Sequence, residues 1–301
     1  MTTNTLTLGQ IEWLDIVNPT KNEIDDIIEK YHFHELDKEA IIEEYQLARV
    51  DTYDDYIFVV LHFPKYDTKS SRYIQNEFGI FISRKYLINF RYYNTASVDA
   101  IMARYNDGKH GKDTINTAYM LYDLIDSMID RTFKIINRFG KDLRSLEENI
   151  FLNVGEKTIS EIMIRKRNII ALKHMISPQI RVLKVLELRM NTLFKDDEVE
   201  IYFENLEDKV EKIHAEIQLL QENIDSMEDA LKSIFDMQTN NTIKYLTFFS
   251  AFMLPLTLIT SFFGMNITNV PFNDSIVYAS VIVTALVMGV IIYVLKKWKK
   301  L

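Results

Sequence analysis

Two uncharged apolar runs, residues 245–263 and 276–295, dominate the C-terminal end of the chain. Each is close to the ~20 residues that cross a bilayer core as a helix, and neither carries a charge, which would cost about 2.5–3.5 kcal/mol at mid-membrane. The pattern predicts two spans, 245–263 and 276–295, joined by a loop over 264–275. That loop holds no Lys or Arg, whereas Lys244 precedes the first span and Lys296, Lys297, Lys299 and Lys300 follow the second. The positive-inside rule therefore places both ends of the hairpin in the cytoplasm, with 296–301 as a basic tail.

Upstream the periodicity is different. Residues 56–63, 78–82 and 86–92 are rich in Val, Ile, Phe and Tyr and read as strands, while 22–31 and 36–45 read as short helices, which makes 1–113 an α/β domain. From residue 114 the strand signal stops. Two long helical stretches, 117–152 and 158–194, flank Asn153-Val154-Gly155, a turn signal, with Pro178 as a kink in the second. They predict an antiparallel helix pair over 114–195.

The third long stretch, 196–263, carries two superposed patterns. From Val199 to Ile234 apolar residues recur at alternating steps of four and three, an unbroken 3.5-residue period that specifies packing of helix on helix. No Pro or Gly occurs between Lys195 and Leu254, so this stalk runs without interruption into the first span. At ~1.5 Å per residue it measures about 100 Å, of which a bilayer core needs only ~30 Å. The second pattern, on another face, is Asn240, Ile243, Thr247, Ser250, Leu254, Thr257 and Ser261, continued backwards through Asp236, Ser233 and Asp229. Small hydroxylated residues in a membrane helix can be packing surface. They can equally line water, but two helices per chain cannot enclose a pore, so that reading needs several copies around an axis.

Charge and composition narrow the function. The chain has 35 Lys+Arg and 43 Asp+Glu, and only five lysines and Asp274 lie beyond residue 243, which leaves 30 against 42 and a net charge of −12 on residues 1–243. Nucleic-acid binding rests on basic patches and is not expected. With no cysteine there is no disulfide or thiolate metal site, and the cytoplasm is the natural compartment. Residues 1–10 lack the basic start and apolar core of a signal peptide. His32, His34 and Glu35 do not complete a zinc motif, and eight glycines form no phosphate-binding loop, so neither an enzyme nor ATP-coupled transport is expected.

The tail from Tyr245-Leu246-Thr247 through Met253-Leu254-Pro255-Leu256-Thr257 to Phe263-Gly264-Met265-Asn266 resembles the signature region of the CorA family of divalent-cation channels. The order of an acidic α/β domain, long helices and a C-terminal hairpin is similar too, so the resemblance covers nearly the whole chain. It implies a homopentameric funnel in the inner (plasma) membrane: five stripes line the pore, Gly264, Met265 and Asn266 form the selectivity filter, and cytoplasmic Mg²⁺ regulates opening. A ring of neutral amide oxygens suits that role, because Mg²⁺ gives up its waters reluctantly and is recognised most cheaply through its hydrated shell. Gly264 would let the chain leave the helix through positive φ.

Departures from the family pattern are specific. Phe263 stands where many members have Tyr, and in residues 270–274 only Asp274 is charged. Asp229 resembles an acidic residue of the family's regulatory metal site; the position resembling its partner, aligned through residues 56–61, is Ala40, with Glu39 adjacent. Asp229, Glu39 and Asp236 are therefore the candidate regulatory ligands. Gly-Met-Asn does not specify the ion, so transport of Mg²⁺ stands beside transport of zinc, cobalt or nickel as in the ZntB-like branch. From another class, a membrane-anchored coiled-coil scaffold would use the hairpin only as a tether.

Overall fold

The computed structural model describes residues 2–43, 46–109, 115–150, 155–265 and 274–297. The chain divides into two units, Met1–Glu228 and Asp229–Leu301.

The first unit opens with a six-stranded sheet in the order β1-β2-β6-β5-β4-β3, formed by β1 (Thr2–Leu8), β2 (Ile11–Val17), β3 (Arg49–Thr52), β4 (Ile57–Asp67), β5 (Arg72–Ile82) and β6 (Tyr86–Arg91). Three helices accompany it: α1 (Lys21–Tyr31), α2 (Glu35–Ile42) and α3 (Ala96–Asn106). The predicted strands 56–63, 78–82 and 86–92 are β4, β5 and β6, the first two longer than expected because the β4–β5 ladder extends from Ile57↔Ile82 to Asp67↔Arg72. Two of the predicted helices are α1, started by a capping box between Thr20 and Glu23, and α2, which stops at Ile42. Tyr45, the predicted end of α2, lies outside the described residues.

β2 and β6 pair in parallel, far apart in sequence and with no hairpin to enforce the register. A buried polar cluster fixes it instead. Arg91, fully buried, donates from Nε and Nη2 to the equally buried Asp15 at 2.8 and 2.7 Å, and from Nη2 to Asp99 at 2.9 Å. Asn89 donates to the same Asp15, and Trp13 Nε1 donates to Asn89 Oδ1 at 2.7 Å. Removing Arg91 would leave the buried Asp15 without its counter-charge, at a cost of about 3–5 kcal/mol.

Three helices complete the unit: α4 (Thr117–Ile150), α5 (Glu156–Phe194) and the first part of α6 (Asp197–Phe263). Residues 151–154, which include the predicted end of α4 and most of the turn, are outside the described set, and Gly155 caps α5. Side-chain pairs give the directions. Along α5, Lys166 meets Asp225 at 3.0 Å and also Glu228, Lys173 meets Gln221 at 2.9 Å, and Lys184 meets Glu207 at 3.4 Å, so α5 and α6 run antiparallel. From α4, Tyr119 meets Glu198 at 3.2 Å and Asp130 meets Lys209 at 3.0 Å, while Gly140 leaves room beneath Leu220, so α4 and α6 run parallel. The predicted antiparallel pairing of α4 with α5 follows. Pro178 lies inside α5 without ending it, and beside it Gln179 donates to the carbonyls of Met175 and His62, tying α5 to β4.

The heptad seam of α6 faces this bundle. Val199, Phe203, Leu206, Ile217 and Ile224 are fully buried, and burial persists to Leu231 before Ile234 becomes half-exposed. The 3.5-residue period is thus satisfied by helices of the same chain.

The second unit contains the end of α6 and α7 (Asp274–Lys297). Among the described residues, α6 is the one helix long and apolar enough to cross a membrane, and none of its apolar window is buried; α7 contributes a shorter apolar stretch, Asp274–Val290. Pro255 lies inside α6 and does not interrupt it.

Candidate ion path on the last turns of α6

In the second unit the two sides of α6 differ. Phe248, Pro255, Leu256, Ile259 and Phe263 are half-buried. Asn240, Ile243, Thr247, Leu254, Thr257 and Ser261 are exposed, and Ser250, on the same stripe, is half-buried. At about 100° per residue these two sets fall on opposite sides of the helix. On α7 the half-buried residues Val277, Ser280, Val281, Thr284, Ala285 and Met288 recur at steps of three and four, the trace of one packed face. The polar stripe is therefore the face of α6 turned away from its sheltered side.

The two threonine hydroxyls on that face, and Ser233 on its backward continuation, have their donors occupied. Thr247 Oγ1 donates to the carbonyl of Ile243 at 2.8 Å, Thr257 Oγ1 to Met253 at 2.9 Å, and Ser233 Oγ to Asp229 at 2.9 Å. A hydroxyl with its hydrogen tied to the backbone presents only oxygen lone pairs outward. Such a surface accepts from the outward-pointing hydrogens of a hydrated cation and offers an anion nothing. Ile243 and Leu254 interrupt the stripe with exposed apolar side chains, 54% and 68% accessible, the chemistry of a constriction that sheds water.

At the end of the helix the sequence reading requires a correction. Gly264 does not adopt positive φ. Its N–H bonds to the Thr260 carbonyl at 2.9 Å, in the helical pattern, and Met265 N–H bonds to Phe262 at 3.3 Å. A Cβ at position 264 would stand 3.2 Å from the Thr260 oxygen, so glycine serves here for close approach to the backbone. Met265 is exposed, and Asn266 lies outside the described residues.

The candidate regulatory carboxylates are all exposed: Glu39 on α2 in the first unit, Asp229 and Asp236 on α6 in the second. Ala40 is buried among Ile24, Ile28, Phe58 and Phe81, so its side chain belongs to the hydrophobic core of the α/β part. Among the described residues no three His, Asp or Glu side chains converge on a common point within one chain.

Among the buried carboxylates that the sequence did not reveal is one on α2. Asp37, on the core side of α2, accepts from the hydroxyls of Tyr53 at 3.0 Å and Tyr56 at 2.8 Å. Burial pushes its pKa above the ordinary value despite those bonds, and burial beside it pushes Tyr53 up to about 12. Its helical position opposite Tyr53 and Tyr56 could not be read without the β3–β4 turn in place.

A folded unit whose last helix continues in the chain into a long, unburied apolar stretch bearing a polar stripe has the build of a membrane protein. The chain belongs to the CorA-like Mg²⁺ transporter family, a family of ion transporters, whose model matches residues 9–297, and it is accordingly a divalent-cation transporter. The cobalt/magnesium transport protein CorA of Thermotoga maritima is 25% identical over 294 residues, covering 95% of this chain and 83% of its own. The zinc transport protein ZntB of Yersinia enterocolitica is 21% identical over 221 residues, 70% of this chain and 64% of its own. In fold, the chain is similar to the complete structure of the CorA magnesium transporter of Methanocaldococcus jannaschii, with a TM-score of 0.80 at 17% identity over 94% of this chain and 90% of that one.

Proposed function

We propose that the protein is a homopentameric Mg²⁺ channel of a plasma membrane, with α6 innermost, two spans per chain and both termini in the cytoplasm. The observation that carries this reading is the α6 stripe: mostly exposed, opposite the sheltered face, and bearing two threonine hydroxyls whose hydrogens are tied to the backbone and whose lone pairs face outward. One copy of such a face has no purpose in lipid, whereas five copies around an axis make a wall for a hydrated ion. Asn266 continues the logic at the outer mouth with an amide oxygen per chain, while Gly264 and Met265 bring it there. The membrane potential supplies the drive: a divalent ion crossing 100 mV gains about 4.6 kcal/mol, at ~2.3 per charge.

Asp229 and Asp236, exposed on the cytoplasmic continuation of the stripe, are the proposed regulatory ligands, and the exposed Glu39 on α2 is a further candidate. Clustered carboxylates of neighbouring copies repel, so bound Mg²⁺ holds the stalks together and the pore closed, and its loss lets them splay. Such a site draws one or two carboxylates from each copy and need not form within a single chain.

The test is uptake into liposomes containing the purified protein, run in parallel with Mg²⁺, Co²⁺, Ni²⁺ and Zn²⁺ under an inside-negative potential. Faster loading of Mg²⁺ is the expected result. Preference for Zn²⁺ would move the protein to the zinc-transporting branch, which the similarity to ZntB keeps open. A monodisperse monomer or dimer with no flux of any divalent ion would overturn the channel reading.

A further inference from the structure

The joint between the sheet and the helix bundle contains a second, unrelated charge arrangement. The turn between β5 and β6 anchors two helices at once: the Ser83 carbonyl accepts from Thr117 at the start of α4, and Arg84 donates from Nε and Nη2 to the Leu193 carbonyl in the last turn of α5, at 2.9 and 2.6 Å. Beside this anchor opens a cavity of 680 Å³, within the size range of small-molecule sites.

Arg84, Lys85 and, from α5, Arg189 give the cavity three cations. Elsewhere in this unit prominent lysines are neutralised: Lys38 by Asp25 and Glu35, Lys166 by Asp225 and Glu228, Lys209 by Asp126 and Asp130. Among the described residues the side chains of Lys85 and Arg189 have no hydrogen bond or ion pair, so their charge is unspent. Asp54 and Asp55, from the turn between β3 and β4, also line the cavity and are equally unpaired. Cations and carboxylates that share a cleft without pairing leave room for a ligand that carries both signs. A bare polyphosphate would suit Lys85 and Arg189 but be repelled by the two aspartates; a bare divalent ion would meet the reverse. A polyphosphate with a bound divalent cation satisfies both, its phosphate oxygens on the basic groups and the waters of its metal on Asp54 and Asp55.

We propose that this cleft binds the complex of a divalent cation with a polyphosphate, as in the Mg²⁺ salt of a nucleoside triphosphate. Arg189 and Thr192 belong to α5, and Asp54, Asp55 and Lys85 to turns of the sheet, so the ligand braces the end of the bundle against the sheet. Tyr31 and Tyr86, whose rings meet edge to face at 5.0 Å, also line the cleft and offer a base an aromatic wall.

The experiment is calorimetric titration of the full-length protein in detergent with Mg²⁺-tripolyphosphate, Mg²⁺-ATP and ATP in excess chelator, with Mg²⁺ alone as the background. Both magnesium complexes are expected to bind at one site per chain, and chelation is expected to weaken ATP. Equal affinity for the two complexes assigns recognition to the phosphates, and tighter Mg²⁺-ATP adds the base and the tyrosines. Arg189→Ala and Lys85→Ala, both exposed and therefore tolerated by the fold, should each weaken binding about tenfold, the loss of one charge-assisted contact. Asp54→Asn combined with Asp55→Asn should abolish the advantage of the magnesium complex over free ATP. Absence of binding, binding indifferent to Mg²⁺, or binding unchanged in Arg189→Ala would overturn the proposal. No ion flux is measured, so this outcome is independent of the transport reading.

Discussion

Two stretches of one helix, residues 199–234 and 240–261 of α6, share the same alternation of threes and fours and have opposite fates. In the first, the repeating residues are apolar and buried from Val199 to Leu231, with Ile234 half-exposed; in the second they are mostly polar and exposed. A helical period says which residues lie on one face, and the chemistry of those residues says what that face can meet. The upper stretch spends its face on stability within the chain. The lower one leaves its face mostly exposed, with the hydroxyl donors of Thr247 and Thr257 folded back onto the helix and their lone pairs outward.

This contrast requires that substitutions in the two stretches separate stability from transport. The largest effect is expected just beyond the stripe. Asn266→Ala should lower Mg²⁺ uptake at least about tenfold, the scale of one lost hydrogen-bonding ring, with thermal melting and assembly unchanged; wild-type uptake would remove Asn266 from the ion path. Phe203→Ala, in the buried seam, should cost about 3–5 kcal/mol of stability, read as a lowered melting temperature. An unchanged melt would mean the seam is not the structural half of the helix.

Thr257→Val keeps the shape of the side chain and deletes the outward acceptor. It should reduce uptake several-fold with no change in melting, and a melting change without a transport change would make the stripe a packing surface. Asp229→Ala and Asp236→Ala should each shift inhibition by internal Mg²⁺ to higher concentration, with Glu39→Ala shifting it less. Identical inhibition curves in all of them would place regulation elsewhere. The smallest effect concerns the α/β part. The folded-state pKa of Asp37 is raised by burial from 3.8, so its protonated form favours the fold. Stability should therefore fall as pH climbs from below 3.8 through the raised folded value, and Asp37→Asn should flatten that slope in pH-dependent melting.

Much of the architecture was legible because it rests on local rules. The two apolar runs, the three long helices, and the strands at 56–63, 78–82 and 86–92 follow from period and propensity alone. β1 and β2 did not stand out: Thr2–Leu8 is threonine-rich with only two leucines, and β2 finds its place by pairing with β6 across more than half of the domain. The short β3 depends on the β4 ladder beside it. Gly264 shows the same limit at a single residue, since a glycine after an apolar helix suggests a left-handed cap and the backbone here stays in the helical pattern.

The sequence by itself determined that one face of α6 is apolar from Val199 to Ile234 and another polar from Asp229 to Ser261, because side-chain direction on a helix is fixed by a period of 3.6 residues. Only the tertiary structure decided what covers each face. Burial of the seam goes with α4 parallel and α5 antiparallel to α6, directions visible in pairs such as Lys209 with Asp130 and Lys166 with Asp225, 79 and 59 residues apart in the chain. Likewise, Lys85, Arg189, Asp54 and Asp55 are unremarkable in the linear chain and share one cleft only because a turn of the sheet grips the end of α5. Periodicity is a property of neighbours along the backbone, whereas burial and charge pairing belong to groups that meet across it.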